Sequence, residues 1–182
     1  MADGEKLIKL QYPIGKFYYR EDAKEESRKA YIKEIEDLPA KLRNAVKGLN
    51  DKQLDTPYRP EGWTVKQVVH HIPDSHLNAY VRIKLALTED EPIIKTYEEK
   101  EWAKLYDYSR TPIEVSLDLL EVLHKRWVIL LNSLKDNDFR KKLNHPEWGL
   151  ISIDFTVANY AWHGNQHVAH ITSLRERMGW KQ

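Results

Sequence analysis

The chain of 182 residues contains no cysteine. That absence excludes disulfides, thiolate metal ligands and a cysteine nucleophile together. No apolar run is long enough to span a bilayer, and Met1 to Arg20 lacks the apolar core of a signal peptide. A surplus of one charge is missing too. The 29 Lys and Arg residues face 28 Asp and Glu, a net charge of +1, and the two signs are interleaved rather than blocked. The basic excess expected of a nucleic-acid binder is therefore not there. These absences predict a soluble cytoplasmic protein that acts on neither nucleic acid nor membrane. Its length suits a single domain, residues 1–182, around one sizeable core.

Histidine is what the chain concentrates. In Ala161-Trp162-His163-Gly164-Asn165-Gln166-His167-Val168-Ala169-His170, an α-helix with about 100° per residue puts His163 and His167 on one face. His170 falls within about 20° of His163 on the same reckoning. Neutral imidazole is a common ligand for zinc, copper and nickel, and an i, i+4 pair can fill two coordination positions of one ion. A third ligand must come from elsewhere, and Val69-His70-His71-Ile72, with His76 close behind, supplies the candidates. The alternative is a set of half-buried histidines satisfied by hydrogen bonds. A zincin is excluded, because His-Glu-x-x-His needs a glutamate base where this chain has Gly164-Asn165-Gln166.

Periodicity organises the rest. Residues 1 to 21 carry Tyr12-Pro13-Ile14-Gly15 and the aromatics Phe17, Tyr18 and Tyr19, which predicts an extended arm with a turn, packed on the body or on a neighbouring subunit. From about Ala23 to Lys47, Tyr31, Ile35, Leu38, Leu42 and Val46 form an amphipathic stripe, with a kink expected at Pro39. Thr64 and Gln67 make a capping box for a second helix, Val65 to about Leu87, interrupted by Pro73. A polar line, Thr64, Gln67, His71, Ser75, Asn78 and Arg82, runs beside its apolar stripe. Residues 88–110 read as an irregular connection with a short helical piece, Tyr97 to Leu105. Thr111-Pro112-Ile113-Glu114 reads as the start of a third helix, with Thr111 as N-cap. Asp136 to Leu150 reads as a loop with a small hairpin around Pro146-Glu147-Trp148-Gly149. Ser152 should cap a fourth helix running through the histidines to about Met178, with Gly179 at its end. The sum is an all-α protein, a four-helix bundle with long connecting loops and an extended N-terminal arm.

Gly62-Trp63-Thr64-Val65-Lys66-Gln67-Val68-Val69-His70-His71, then Asp74-Ser75-His76, and the late Trp162-His163-x-x-x-His167-x-x-His170-Ile171 resemble the DinB-like superfamily. Within it they are most similar to the YfiT-like branch of metal-dependent hydrolases related to bacillithiol transferases. The similarity extends to Tyr12-Pro13-Ile14-Gly15, Leu54-Asp55-Thr56-Pro57-Tyr58-Arg59 and Arg177-Met178-Gly179-Trp180, so it covers nearly the whole chain. The resemblance implies a four-helix bundle, a homodimer and one divalent ion, zinc or nickel foremost, held by His71, His163 and His167.

Three neutral imidazoles would leave an ion its full charge and an open position, the pattern of a catalytic site. Two chemistries fit: hydrolysis by activated water, or activation of a low-molecular-weight thiol of the bacillithiol type for attack on an electrophile. A chain without cysteine would take any thiol from its cosubstrate. The partner in either case is a small-molecule substrate. The remaining alternative is a non-catalytic metal or small-molecule binding module, or a stress-response module. Around the ligands, His170 could orient one of them or shuttle a proton, or be a hydrogen-bonded core histidine. Asp74 and His76 stand one turn past His71 and could receive an imidazole N–H, or form a solvated face. Tyr160 could donate to a developing oxyanion, and Arg59 and Arg82 could bind an anion. Trp63, Trp127 and Trp162 read as packing, and His124 and His145 carry no argument.

Overall fold

The computed structural model describes residues 2–20 and 25–181. Its frame is four long helices: α2 (Glu25–Val46), α4 (Val65–Thr88), α7 (Ile113–Ser133) and α9 (Ile153–Met178). The short elements between them are α3 (Asp51–Leu54), α5 (Glu99–Trp102), α6 (Tyr106–Arg110), α8 (Asp136–Arg140) and the strands β1 (Lys142–His145) and β2 (Gly149–Ser152). Ahead of the frame stands α1 (Ala2–Gln11). No helix among the described residues is long and apolar enough to cross a membrane.

The bundle buries two apolar clusters. One gathers Ile32, Ile35, Ile83, Trp127, Ile153 and Val157. The other gathers Leu42, Val69, Ile72, Leu120, Ile171 and Leu174. Along α2 and α9 the chain passes from the first cluster to the second, and along α4 and α7 it passes back. Two parallel pairs of helices thus run against each other. Full burial of each such side chain contributes roughly 1.5–3 kcal/mol, which fixes the faces that turn inward. Between the clusters, at mid-bundle, the inward positions of α4, α7 and α9 are histidines rather than aliphatics.

Local chemistry sets the helix ends. The Thr64 hydroxyl accepts from the Gln67 N–H and the Gln67 side chain accepts from the Thr64 N–H, so the expected capping box of α4 is present. Ser152 caps α9 by accepting from the Phe155 N–H at 3.0 Å, and Gly179 ends it in the left-handed conformation at φ 64°. Helix α4 continues through Pro73 and α2 through Pro39. Proline brings no N–H, so Pro39 leaves the carbonyl of Ile35, four residues earlier, without its helical donor. The Nδ1–H of His124 on α7 donates to that oxygen instead, at 2.5 Å.

Four expectations need correction. The N-terminal segment is extended only from Tyr12 onward; Ala2–Gln11 is a helix. Strong helix formers such as Glu5, Leu7 and Leu10 fill it, and it stops because Pro13 disfavours helical geometry in the residue before it. The extended part does lie on the body, with Phe17 edge-on to Phe155 at 5.4 Å and Tyr19 to the same ring at 5.1 Å. Thr111 is not the N-cap of α7. It ends α6, its N–H bonded to the Asp107 carbonyl at 2.9 Å, and Pro112 takes the capping position. The connection 88–110 holds α6 as well as the short helix expected, and Asp136–Leu150 holds α8 before the hairpin. In that hairpin Leu143 pairs with Ile151 and His145 with Gly149, and Gly149 has φ 70°. Helix α2 is described from Glu25; the expected start at Ala23 lies outside the described residues.

Candidate functional site

Helix α4 delivers His71 and α9 delivers His163 and His167 to one point between the clusters. One ring nitrogen from each of the three lies within 4.8 Å of the other two. The Nε2 atoms of His71 and His163 are 3.3 Å apart. A tetrahedral ion with Zn–N bonds of about 2.1 Å separates its nitrogen ligands by about 3.4 Å, which the His71–His163 pair matches. His71 is buried, while His163 and His167 keep part of their surface open.

Burial is the main influence on all three rings. It lowers His163 to about 4, and holds His71 and His167 well below the ordinary value, with repulsion from neighbouring imidazoles adding to the effect. Near neutral pH the three rings are therefore uncharged, the form in which imidazole offers a lone pair to a metal.

The other candidates fall into distinct places. His76 is fully buried on α4, with its Nε2 3.2 Å from His163 Nδ1 and its Nδ1 3.0 Å from His124 Nε2. His170 stacks on Tyr58 with ring centroids 4.0 Å apart. Its Nδ1 faces His167 Nδ1 at 3.4 Å and its Nε2 faces the Gln11 carbonyl at 2.9 Å. Asp74 is engaged elsewhere: the Tyr108 hydroxyl donates to it at 2.6 Å, and burial raises its carboxyl above the usual range. His70 pairs with Ser116 at 2.7 Å. Trp63 packs against the cluster itself, 4.6 Å from the His71 ring and stacked on His167 at 6.3 Å.

A cavity of about 270 Å³ opens beside His163. Arg82, Tyr97, Glu99, Asn159, Tyr160 and Trp162 line it, so Tyr160 and Arg82 do reach the site while Trp127 serves the core. Arg82 is held by donating to the Lys95 carbonyl at 2.8 Å, and desolvation raises Glu99. His145 also borders this cavity and stacks on Trp148 at 4.5 Å.

Sequence reasoning passed over His124 and the carbonyls of Ile35 and Gln11. A signal for His124 existed. It occupies an inward position of α7, four residues after Leu120, where an imidazole needs a buried partner, and Pro39 guarantees an under-used carbonyl on α2.

Fold and histidine cluster together define a helical bundle with three convergent neutral imidazoles at its middle, open to a small cavity. Residues 34–171 match the DinB superfamily, and the chain belongs to that family. It is 57% identical over 171 residues to a Bacillus cereus protein named "Putative metal-dependent hydrolase", covering 94% of this chain and 98% of that one. A Bacillus thuringiensis protein bearing the same description matches to the same extent. Among solved structures, YfiT from Bacillus subtilis superposes with a TM-score of 0.93 at 46% identity, covering 95% of this chain and 99% of that chain. It is described as "a probable metal-dependent hydrolase with an unusual four-helix bundle topology".

Proposed function

We propose that the protein is a metal-dependent hydrolase of small molecules whose single divalent ion, zinc or nickel, is held by His71, His163 and His167. The observation that carries this reading is the convergence of three neutral ring nitrogens within 4.8 Å, from two helices. The names of the relatives point the same way. Imidazole suits both metals.

An ion held by three imidazoles supplies full positive charge and an open position at which water is activated as a nucleophile. The chain supplies the remainder. Tyr97, Tyr160 and Trp162 form an apolar and aromatic wall against which a small substrate would be held beside His163. Arg82 and Asn159 in the same cavity offer donors for a carbonyl or an anionic group. Glu99, raised by burial, offers a carboxyl that can hold or take up a proton near the reacting bond.

The same open position admits a second reading, transfer of a small thiol to an electrophile, with the thiol brought by a cosubstrate because the chain has no cysteine. Metal analysis of the purified protein after reconstitution tests what both readings share. About one ion per chain is expected, and it should be lost in His71→Ala, His163→Ala and His167→Ala. No ion in the reconstituted wild type would overturn both. Saturable hydrolysis of a panel of small esters and amides without thiol supports the first; turnover only when thiol is supplied supports the second.

A further inference from the structure

The buried histidines around the cluster carry information beyond it. A neutral imidazole has one N–H and one lone pair, so in a chain of imidazoles the direction of a single hydrogen bond fixes all the others. A main-chain carbonyl can only accept. Each of the two α9 rings is connected to such a carbonyl through other histidines.

The first chain starts at the carbonyl of Ile35, freed by Pro39. His124 must donate to it through Nδ1, at 2.5 Å. His124 Nε2 then carries the lone pair and accepts from His76 Nδ1 at 3.0 Å. His76 Nε2 in turn accepts from His163 Nδ1 at 3.2 Å. The proton of His163 is thereby placed on Nδ1, and its Nε2 lone pair faces the cluster. The second chain starts at the carbonyl of Gln11, the last residue of α1, where the helix provides no further donor. His170 donates to it through Nε2 at 2.9 Å, and its Nδ1 accepts from His167 Nδ1 at 3.4 Å. His167 is left with its lone pair on Nε2. His71 has no such chain: its Nδ1 has no hydrogen-bond partner among the described residues, and its Nε2 lies 3.3 Å from the His163 lone pair.

We propose that these two carbonyl-anchored relays, with His76, His124 and His170 as positioning residues, preset the tautomers of His163 and His167 for an ion. In the metal-free protein His71 donates through Nε2 to His163, and it alone moves its proton, from Nε2 to Nδ1, when the ion enters. This rests on the metal reading above for the ion, but the preset tautomers are a property of the metal-free chain. Partners outside the ligands commonly change metal affinity by about 10–100-fold, because they hold the rings in the binding orientation.

The test is long-range ¹H–¹⁵N correlation on the chelator-treated, ¹⁵N-labelled full chain at pH 8, with zinc competition titrations on variants. Expected are Nδ1–H tautomers for His76, His124, His163 and His167, and Nε2–H tautomers for His170 and His71, only His71 switching on zinc addition. His163 or His167 protonated on Nε2 in the metal-free protein overturns the relays, whatever the metal result. His124→Leu removes both hydrogen bonds of that ring and should weaken zinc binding about 10–100-fold at unchanged stoichiometry. His124→Gln can donate to Ile35 and accept from His76, and should restore affinity to within a few-fold. Wild-type affinity in a folded His124→Leu protein overturns the positioning role; should that variant fail to fold, the wild-type tautomers decide. A wild type that binds no zinc or nickel sinks the metal reading, while the tautomer pattern still decides the relays.

Discussion

Gly164 lies between the two cluster histidines of α9, and the place of its missing side chain is filled by Leu38 of α2. A Cβ at this position would stand 2.2 Å from Leu38 Cδ2 and 2.9 Å from Cδ1. Carbon atoms rest at about 3.5–4.0 Å, so the closer contact falls short by at least about 1.3 Å. Leu38 is 1% exposed, so its side chain would have to shift within the packed core rather than into solvent. Alanine would bring about 1 kcal/mol of helix propensity, whereas overpacking a tight core costs about 1–3 kcal/mol. With so large a shortfall the cost falls at the upper end, about 2–3 kcal/mol, and Gly164→Ala should lose about 1–2 kcal/mol net. For a chain of this size that corresponds to a fall of about 2–8 °C in melting temperature, read by circular dichroism on metal-free protein. The sign should reverse once the obstructing atoms are gone. In a Leu38→Ala background, itself destabilised by about 2–5 kcal/mol, Gly164→Ala should be neutral or stabilising by up to about 1 kcal/mol. A Gly164→Ala protein as stable as wild type, or equally harmed in both backgrounds, would refute the close approach.

Three further outcomes follow from the structure. Burial holds His124, His163 and His170 near 4 in the folded protein, against about 6.5 unfolded. Between those values the unfolded chain binds more protons, so the metal-free protein should lose up to about 1.4 kcal/mol per pH unit for each such histidine as pH falls from 6.5 towards 4. Above pH 7 these groups add no slope; urea midpoints unchanged between pH 7 and 5 would contradict the burial. His145→Ala, altering a ring that borders the cavity but stands outside the cluster and both relays, should keep about one zinc per chain, and loss of the ion there would redraw the site. Ser152→Ala removes the N-cap of α9 and should cost about 1 kcal/mol with zinc stoichiometry unchanged, which thermal melts and metal analysis would check together.

How far the sequence was legible depends on the range of the interactions involved. The ends of α4 and α9 were readable because caps are local: Thr64 with Gln67, and Ser152 with Phe155, act within one turn. His163 and His167 could be placed on one face from spacing alone, and their meeting with His71 followed the family resemblance. Short helices failed for the opposite reason. Pro112 looked like a first helical residue, but Thr111 was already committed to ending α6. In Ala2–Gln11 the Pro and Gly that follow are stronger local signals than the helix formers inside the segment. His124 was invisible as a functional residue because its partners, Ile35 and His76, lie 89 and 48 positions away.

Pro39 would be an early target for anyone engineering a more heat-resistant form of this protein. Within a helix, proline costs about 3 kcal/mol relative to alanine. Restoring an N–H at position 39 would close the gap in α2 and set the new donor in competition with His124 for a single oxygen. Melting temperature and zinc affinity should then move in opposite directions in Pro39→Ala, a residue outside the cluster. Selection for thermal resistance alone would drift towards a sturdier bundle that holds its ion less well, and the imperfection in α2 is the point at which those two demands meet.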